Sequence, residues 1–260
     1  MLNKINSNLF GELIARTFYL FIMLYFFIPL NTTFAVQDDI KVVKEKITFT
    51  TDDGFNISAI IGKPEKIDGD LPAVILIHQG GSDKSEWDGF FDQLVKQNYI
   101  VLAYDIRGHG ESDKVDNIYA LFNDPNQAPH DLFAAIEYLK EYDNVDSDRL
   151  AIVGASIGAN LAIVGISKMN IKTAVAISAK TSAVENLNGE KTLHLKSIFY
   201  IAADGDQNGK RVEWAKELFE RTKPPRKIET VVNSSAHGVK IFKDKPQVKN
   251  EIIKWLKVTL

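Results

Sequence analysis

Six short, nearly unbroken apolar runs constrain this chain more than any other feature. They lie at residues 73–78, 99–104, 150–154, 173–178, 198–203 and 228–232. A strand with one face in water alternates apolar and polar residues. A run without alternation fits a strand buried on both faces, as in a mostly parallel sheet. Amphipathic stretches separate the runs. Residues 86–97 place Phe90, Phe91, Leu94 and Val95 on one side, and 131–142 do the same with Leu132, Ala135, Ile136 and Leu139. Residues 209–221 offer Val212, Ala215, Leu218 and Phe219; residues 247–258 offer Val248, Ile252, Trp255 and Leu256. These spacings follow the helical period. Strand alternating with helix means βαβ units with right-handed crossovers. Upstream, β-rich runs at 46–50 and 55–61 flank Thr51-Asp52-Asp53-Gly54, an Asp-Gly hairpin signal. The pattern predicts one α/β domain, residues 36–260. Its sheet is mostly parallel and eight-stranded, with helices on both faces and an antiparallel hairpin at its start.

Ligands of such sheets sit beyond the carboxyl ends of the strands. Gly154-Ala155-Ser156-Ile157-Gly158 lies at one such end, where an apolar run turns into a helical pattern. It reads G-x-S-x-G. A serine hydroxyl becomes a nucleophile when a base takes its proton and its Oγ is held clear of its own backbone. A sharp strand-to-helix turn provides the second condition, and glycines remove the Cβ atoms that would clash in it. The first N–H groups of the following helix point at the reacting carbonyl. Ser156 is the candidate nucleophile, and the N–H of Ile157 is the first candidate oxyanion donor.

The base must come from five histidines. His237 follows the last apolar run in a loop of small residues, Asn233-Ser234-Ser235-Ala236-His237-Gly238. An imidazole base needs an acid to fix its tautomer. The run at 198–203 ends in Asp204-Gly205-Asp206, so both aspartates are candidates. The second oxyanion donor is expected from His78-Gln79-Gly80-Gly81, with Gly80 first and Gln79 second; His78 itself reads as a buried structural residue. Asp204-Gly205-Asp206-Gln207-Asn208-Gly209 also matches the opening of a calcium loop. The twelfth position, where a bidentate glutamate belongs, is Ala215, and a strand rather than a helix precedes the loop. No metal and no organic cofactor are therefore expected.

The formal net charge is −3 and no dense Lys/Arg run occurs, which argues against a nucleic-acid partner. With no cysteine, disulfides, thiolate zinc sites and a cysteine nucleophile are excluded. Lys4 and Arg16 precede an apolar run at 18–30, followed by Asn31-Thr32-Thr33-Phe34-Ala35 and the polar Val36-Gln37-Asp38-Asp39. This is a secretory pattern. Residues 1–35 read as a signal peptide cut after Ala35, which gives a periplasmic or secreted protein. The run falls short of the roughly 20 residues that span a bilayer. Membrane contact is expected only through this segment if it stays uncleaved.

One further motif is more specific. Asp105-Ile106-Arg107-Gly108-His109-Gly110-Glu111-Ser112 looks like the D-x-R-G-H-G-x-S loop of the α/β-hydrolase superfamily. Together with the elbow and the order Ser156, Asp, His237, it makes the chain resemble that superfamily from Ile47 to the C-terminal helix. Residues 131–152 are similar to the segment before the nucleophile in dienelactone-hydrolase-like and prolyl-oligopeptidase-like members. The resemblance implies that Arg107 and His109 are scaffold. It places the acid at the end of a G-x-x-D motif, here Ala203-Asp204-Gly205-Asp206, and so favours Asp206 over Asp204. Ala203 and Gln79 depart from the glycines usual at their positions. The short stretch at 179–196 implies a minimal lid. The expected activity is hydrolysis of small-molecule carboxylic esters by a serine hydrolase through an acyl-enzyme. A peptidase or amidase on the same fold is the alternative. A non-catalytic binding protein is the third reading, disfavoured because all three triad positions are filled.

Overall fold

The computed structural model describes residues 40–260. The expected signal segment and its cut after Ala35 lie outside the described residues. Strands β1 (Val42–Thr50) and β2 (Asn56–Pro64) form the expected antiparallel hairpin. Then follow β3 (Leu71–Ile77), a 3₁₀ turn (Lys84–Trp87), α1 (Phe90–Val95) and β4 (Ile100–Tyr104). A second 3₁₀ turn (Ile118–Phe122) leads to α2 (Ala128–Lys140), β5 (Val145–Ala155), α3 (Ile157–Lys168) and β6 (Thr173–Ile177). The chain continues through α4 (Thr181–Asn188), β7 (Lys196–Ala203), α5 (Lys210–Arg221) and β8 (Lys223–Val231). A short turn, α6 (Ile241–Asp244), precedes α7 (Gln247–Thr259). The strands form one eight-stranded sheet in the order β1-β2-β4-β3-β5-β6-β7-β8. β2 runs antiparallel to β4, and every pairing from β4 to β8 is parallel.

Alternate residues of the central strands serve two cores. Ile75, Ile77, Leu102 and Ile152 pack with Leu132 and Ile136 of α2 and Leu161 of α3. Val74, Leu76, Val101 and Val153 pack on the opposite face with Phe90 and Leu94 of α1 and Ile252 and Leu256 of α7. All of these are buried, so β3 and β4 have no water-facing side, which is why their sequences show no polar alternation. Two expectations are adjusted. The helix expected over 86–97 is reduced to α1, because Gly89 adopts φ +78°, which no α-helix interior accommodates. The stretch at 179–196 contains α4, whose Ala183, Val184 and Leu187 face the core.

The loop after β4 is locked by charge. Arg107 is fully buried, and its Nε donates to Asp131 Oδ1 at 2.6 Å while its backbone N–H donates to Asp131 Oδ2 at 2.8 Å. Its two Nη atoms donate to Asp53 of the hairpin turn at 2.6 and 2.8 Å. The guanidinium holds the Asp53 carboxyl down to about 2. One cation thus ties the hairpin, the β4 loop and α2 together. Arg107→Ala strands Asp131 as a buried, unpaired charge, and the expected loss is about 3–5 kcal/mol. Lys140→Ala, which removes only a surface partner of Glu137, should cost no more than ~1 kcal/mol. Urea denaturation of the two variants should separate them; equal midpoints would refute the clamp.

Candidate active site

Ser156 is the single residue between β5 and α3. Its backbone sits at φ 53°, ψ −111°, a conformation that costs a non-glycine residue of order 1–3 kcal/mol. Both of its peptide groups are bonded. Its N–H donates to the Ile177 carbonyl at 2.8 Å, and its carbonyl accepts from the Asn160 N–H at 3.1 Å. The flanking glycines are a steric requirement. A Cβ on Gly154 would lie 2.0 Å from the Gly158 carbonyl oxygen, and one on Gly158 would lie 2.1 Å from that of Ile77.

The His237 loop follows β8. His237 Nδ1 lies 2.7 Å from Asp206 Oδ2, and Asp206 is 3% exposed. The two candidate acids divide their tasks. Asp206 meets the imidazole. Asp204 is exposed and accepts the backbone N–H groups of Asn233 and Ser234 at 2.9 and 3.1 Å, which hold its carboxyl below the usual range. Gly238 N–H donates to Ser178 Oγ at 3.1 Å. Ser178 follows Ile177, the residue whose carbonyl holds Ser156, so the loop is docked one residue from the elbow. His237 Nε2 makes no hydrogen bond among the described residues, so the Ser156–His237 hydrogen bond is not formed. Such bonds often tighten only when substrate is bound.

The loop after β3 has its N–H groups largely spent. Gln79 N–H donates to Glu86 Oε1 at 3.0 Å, Gly81 N–H to His109 Nε2 at 3.1 Å, and Ser82 N–H to the Gln79 carbonyl at 3.2 Å. Gly80 N–H has no partner among the described residues, and the same holds for Ile157 N–H at the start of α3. Of the two candidates in this loop, Gly80 therefore keeps a free donor and Gln79 does not. Glu86, Ser178 and Arg211, whose Nη1 donates to the Ser178 carbonyl at 2.7 Å, carry no sequence signal that separates them from ordinary surface residues. Among the described residues, Asp52, Asp53 and His130 place ligand atoms within 4.8 Å of one another. Asp53 is spent on Arg107 and His130 on Asp52, so the group is an ion-pair cluster.

A family model described as serine aminopeptidase, S33 matches residues 71–197. The uncharacterized protein YfhR of Salmonella typhi is 31% identical over 128 residues, 46% of this chain and 40% of that protein. The chain spans about 40% of the length of the first curated relatives it matches. The Pyrococcus furiosus esterase Pf2001 superimposes with a TM-score of 0.65 at 24% identity, over 84% of this chain and 93% of that one. A Klebsiella pneumoniae protein described as a dienelactone hydrolase gives 0.62 at 17% identity, over 84% and 99%. The chain belongs to the α/β-hydrolase superfamily. The elbow after β5 and the loops after β7 and β8 all lie at the carboxyl ends of their strands, the side on which open α/β sheets bind ligands.

In this α/β-hydrolase, His78 is scaffold. It is fully buried, its Nδ1–H donates to the Gln79 carbonyl at 2.8 Å, and its Nε2 accepts the Ile106 N–H at 2.9 Å. Burial pushes its imidazole down to about 4. In the unfolded chain the ring titrates near its ordinary 6.5, so between these values the unfolded state binds more protons. Stability therefore falls as pH drops through that window, by roughly 2 kcal/mol between pH 7.5 and pH 5. His78→Asn should remove this part of the pH dependence in urea denaturation. A slope identical to the wild type would refute the assignment.

Proposed function

We propose that this chain is a serine hydrolase that cleaves small-molecule carboxylic esters through an acyl-enzyme. The observation that carries the proposal is the Asp206–His237 pair at 2.7 Å, docked at the same sheet end as Ser156. With Nδ1–H donated to Asp206, Nε2 is the basic nitrogen. Ser156 Oγ attacks the ester carbonyl and Nε2 takes its proton. The negative charge on the former carbonyl oxygen is met by the free N–H groups of Ile157 and Gly80. The protonated His237 gives its proton to the leaving alcohol. Water, activated in turn by His237, then frees the acid and restores Ser156. Asp204 acts one step back, by holding the loop that carries the base.

The name of the Pyrococcus relative, an esterase, supports the ester reading. The family description, an aminopeptidase, favours the alternative of an amide or peptide bond at the same site. Steady-state turnover of p-nitrophenyl esters and matched p-nitroanilides separates the two; the proposal expects ester kcat/KM to exceed anilide. Ser156→Ala should lower ester kcat about 10³-fold or more, and Asp206→Asn should lose about 10²-fold or more. Asp204→Asn should lose less than about tenfold, because the imidazole keeps its own acid. Unchanged turnover in Ser156→Ala would refute the mechanism, and a larger loss in Asp204→Asn than in Asp206→Asn would reassign the acid.

Export is part of the same reading and rests on the basic, apolar and small-residue pattern ending at Ala35. Mass spectrometry of the exported protein should find Val36 at the N-terminus. An exported chain that keeps Met1 would refute cleavage.

A further inference from the structure

We infer that Glu86 is a positioning residue for the oxyanion site: by capturing the Gln79 N–H, it sets the loop so that the next N–H, on Gly80, is the one left for substrate. The inference rests on the serine-hydrolase reading above and adds a residue to it.

Three observations converge on Glu86. Its Oε1 accepts the Gln79 N–H at 3.0 Å. It is half-buried, and burial pushes its carboxyl up, so the hydrogen bond is made in a poorly hydrated place where it is harder to replace by water. It lies on the 3₁₀ turn Lys84–Trp87, which is itself anchored. Asp83 accepts the Ser85 N–H at 2.8 Å, the Lys84 N–H donates to Asp105 Oδ1 at 2.7 Å, and Trp87 is buried in the core between the sheet and α1. The carboxylate is therefore presented from a fixed platform rather than from a mobile turn.

The far side of the same loop is fixed by Gly81 N–H on His109 Nε2. Gly80 is thus held between two spent peptide groups. Gln79 extends the coupling to the base. A Cβ built on Gly238 would lie 2.0 Å from Gln79 Oε1, so the Gln79 side chain lies against the residue after His237. Displacing Gln79 would then disturb the donor and the base together. Such a defect weakens stabilisation of the transition state more than binding of the ground state, because the oxyanion forms only during the reaction.

The test uses the full chain and p-nitrophenyl butyrate. Glu86→Ala removes the hydrogen bond to Gln79 N–H and should lower kcat about ten- to hundredfold with KM within about threefold. Glu86→Gln keeps an acceptor oxygen for the Gln79 N–H and should retain kcat within about threefold of wild type. Thermal melts of both variants check that the fold is kept. If Glu86→Ala keeps wild-type kcat while Ser156→Ala is inactive, the positioning role is overturned and the serine reading stands. A Glu86→Gln protein as slow as Glu86→Ala would also overturn it, because the charge rather than the hydrogen bond would then matter. Turnover unaffected by Ser156→Ala would overturn the serine reading and this inference with it.

Discussion

The helix after β5 can start where it does because nothing but hydrogen stands between Gly158 and the carbonyl of Ile77. A Cβ there would come within 2.1 Å of that oxygen. The contact seats the first turn of α3 on the carboxyl end of β3. That single approach puts the Ile157 N–H beside the loop that follows β3, and it leaves Ser156 no room for an ordinary backbone conformation. The residue is forced to φ 53°. Two hydrogen bonds to its own peptide groups, from Asn160 and to Ile177, offset the strain. The bond to Ile177 cannot form unless β6 lies next to β5, so the elbow depends on the strand order as well as on its own residues.

The carboxyl edge of the sheet is held together by polar groups that do no chemistry. Asp204 collects two N–H groups of the His237 loop, Ser178 Oγ collects a third from Gly238, and His78 joins the β3 and β4 loops through Ile106. Each replaces water that loop backbones would otherwise need, which lets irregular segments pack where side chains are buried. Arg107 does the same with charge. Its two carboxylates come from the hairpin turn and α2, elements far apart in sequence. A frame of this kind fixes the loops after β3, β4, β6, β7 and β8 along the carboxyl edge of the sheet.

Burial explains which parts of this architecture could be read from residues. The run at 99–104 differs from β4 by one residue, and the run at 173–178 differs from β6 by one, because every side chain in those strands is buried. β5 and β8 begin about five residues earlier than their apolar runs. Their added residues begin at Val145, which pairs with Leu71, and at Lys223, which pairs with Lys196; Asp146, Asp148, Pro224 and Pro225 lie in the irregular stretch after each pair, so the extension rests on pairing rather than on burial. Hydropathy is blind to that. α4 escaped notice because eight residues with three buried apolar side chains do not make a visible period. The Asp206–His237 contact was legible because an acid must follow one strand and a base the next. The choice between Asp204 and Asp206 was not a matter of residue type. It depended on which carboxylate the turn aims at the imidazole and which at the backbone.

The candidate oxyanion donors were the hardest part to read, and the reason is general. A glycine-bearing loop advertises that backbone can come close to a ligand, yet every residue in it offers an identical N–H. Which one is left for substrate is decided by what captures the others. Here the captors are Glu86, on the turn just after the loop, and His109, 28 residues from Gly81, neither carrying a motif of its own for the task. The same logic accounts for the glutamine at position 79, where the family commonly keeps glycine. A side chain there needs space, and the space is at Gly238, where any Cβ would collide with Gln79 Oε1. Bulk in the loop that bears the candidate donor is accommodated by a missing side chain in the loop that bears His237. Gln79 and Gly238 therefore form one steric unit, and a change at either position is felt on both sides of Ser156.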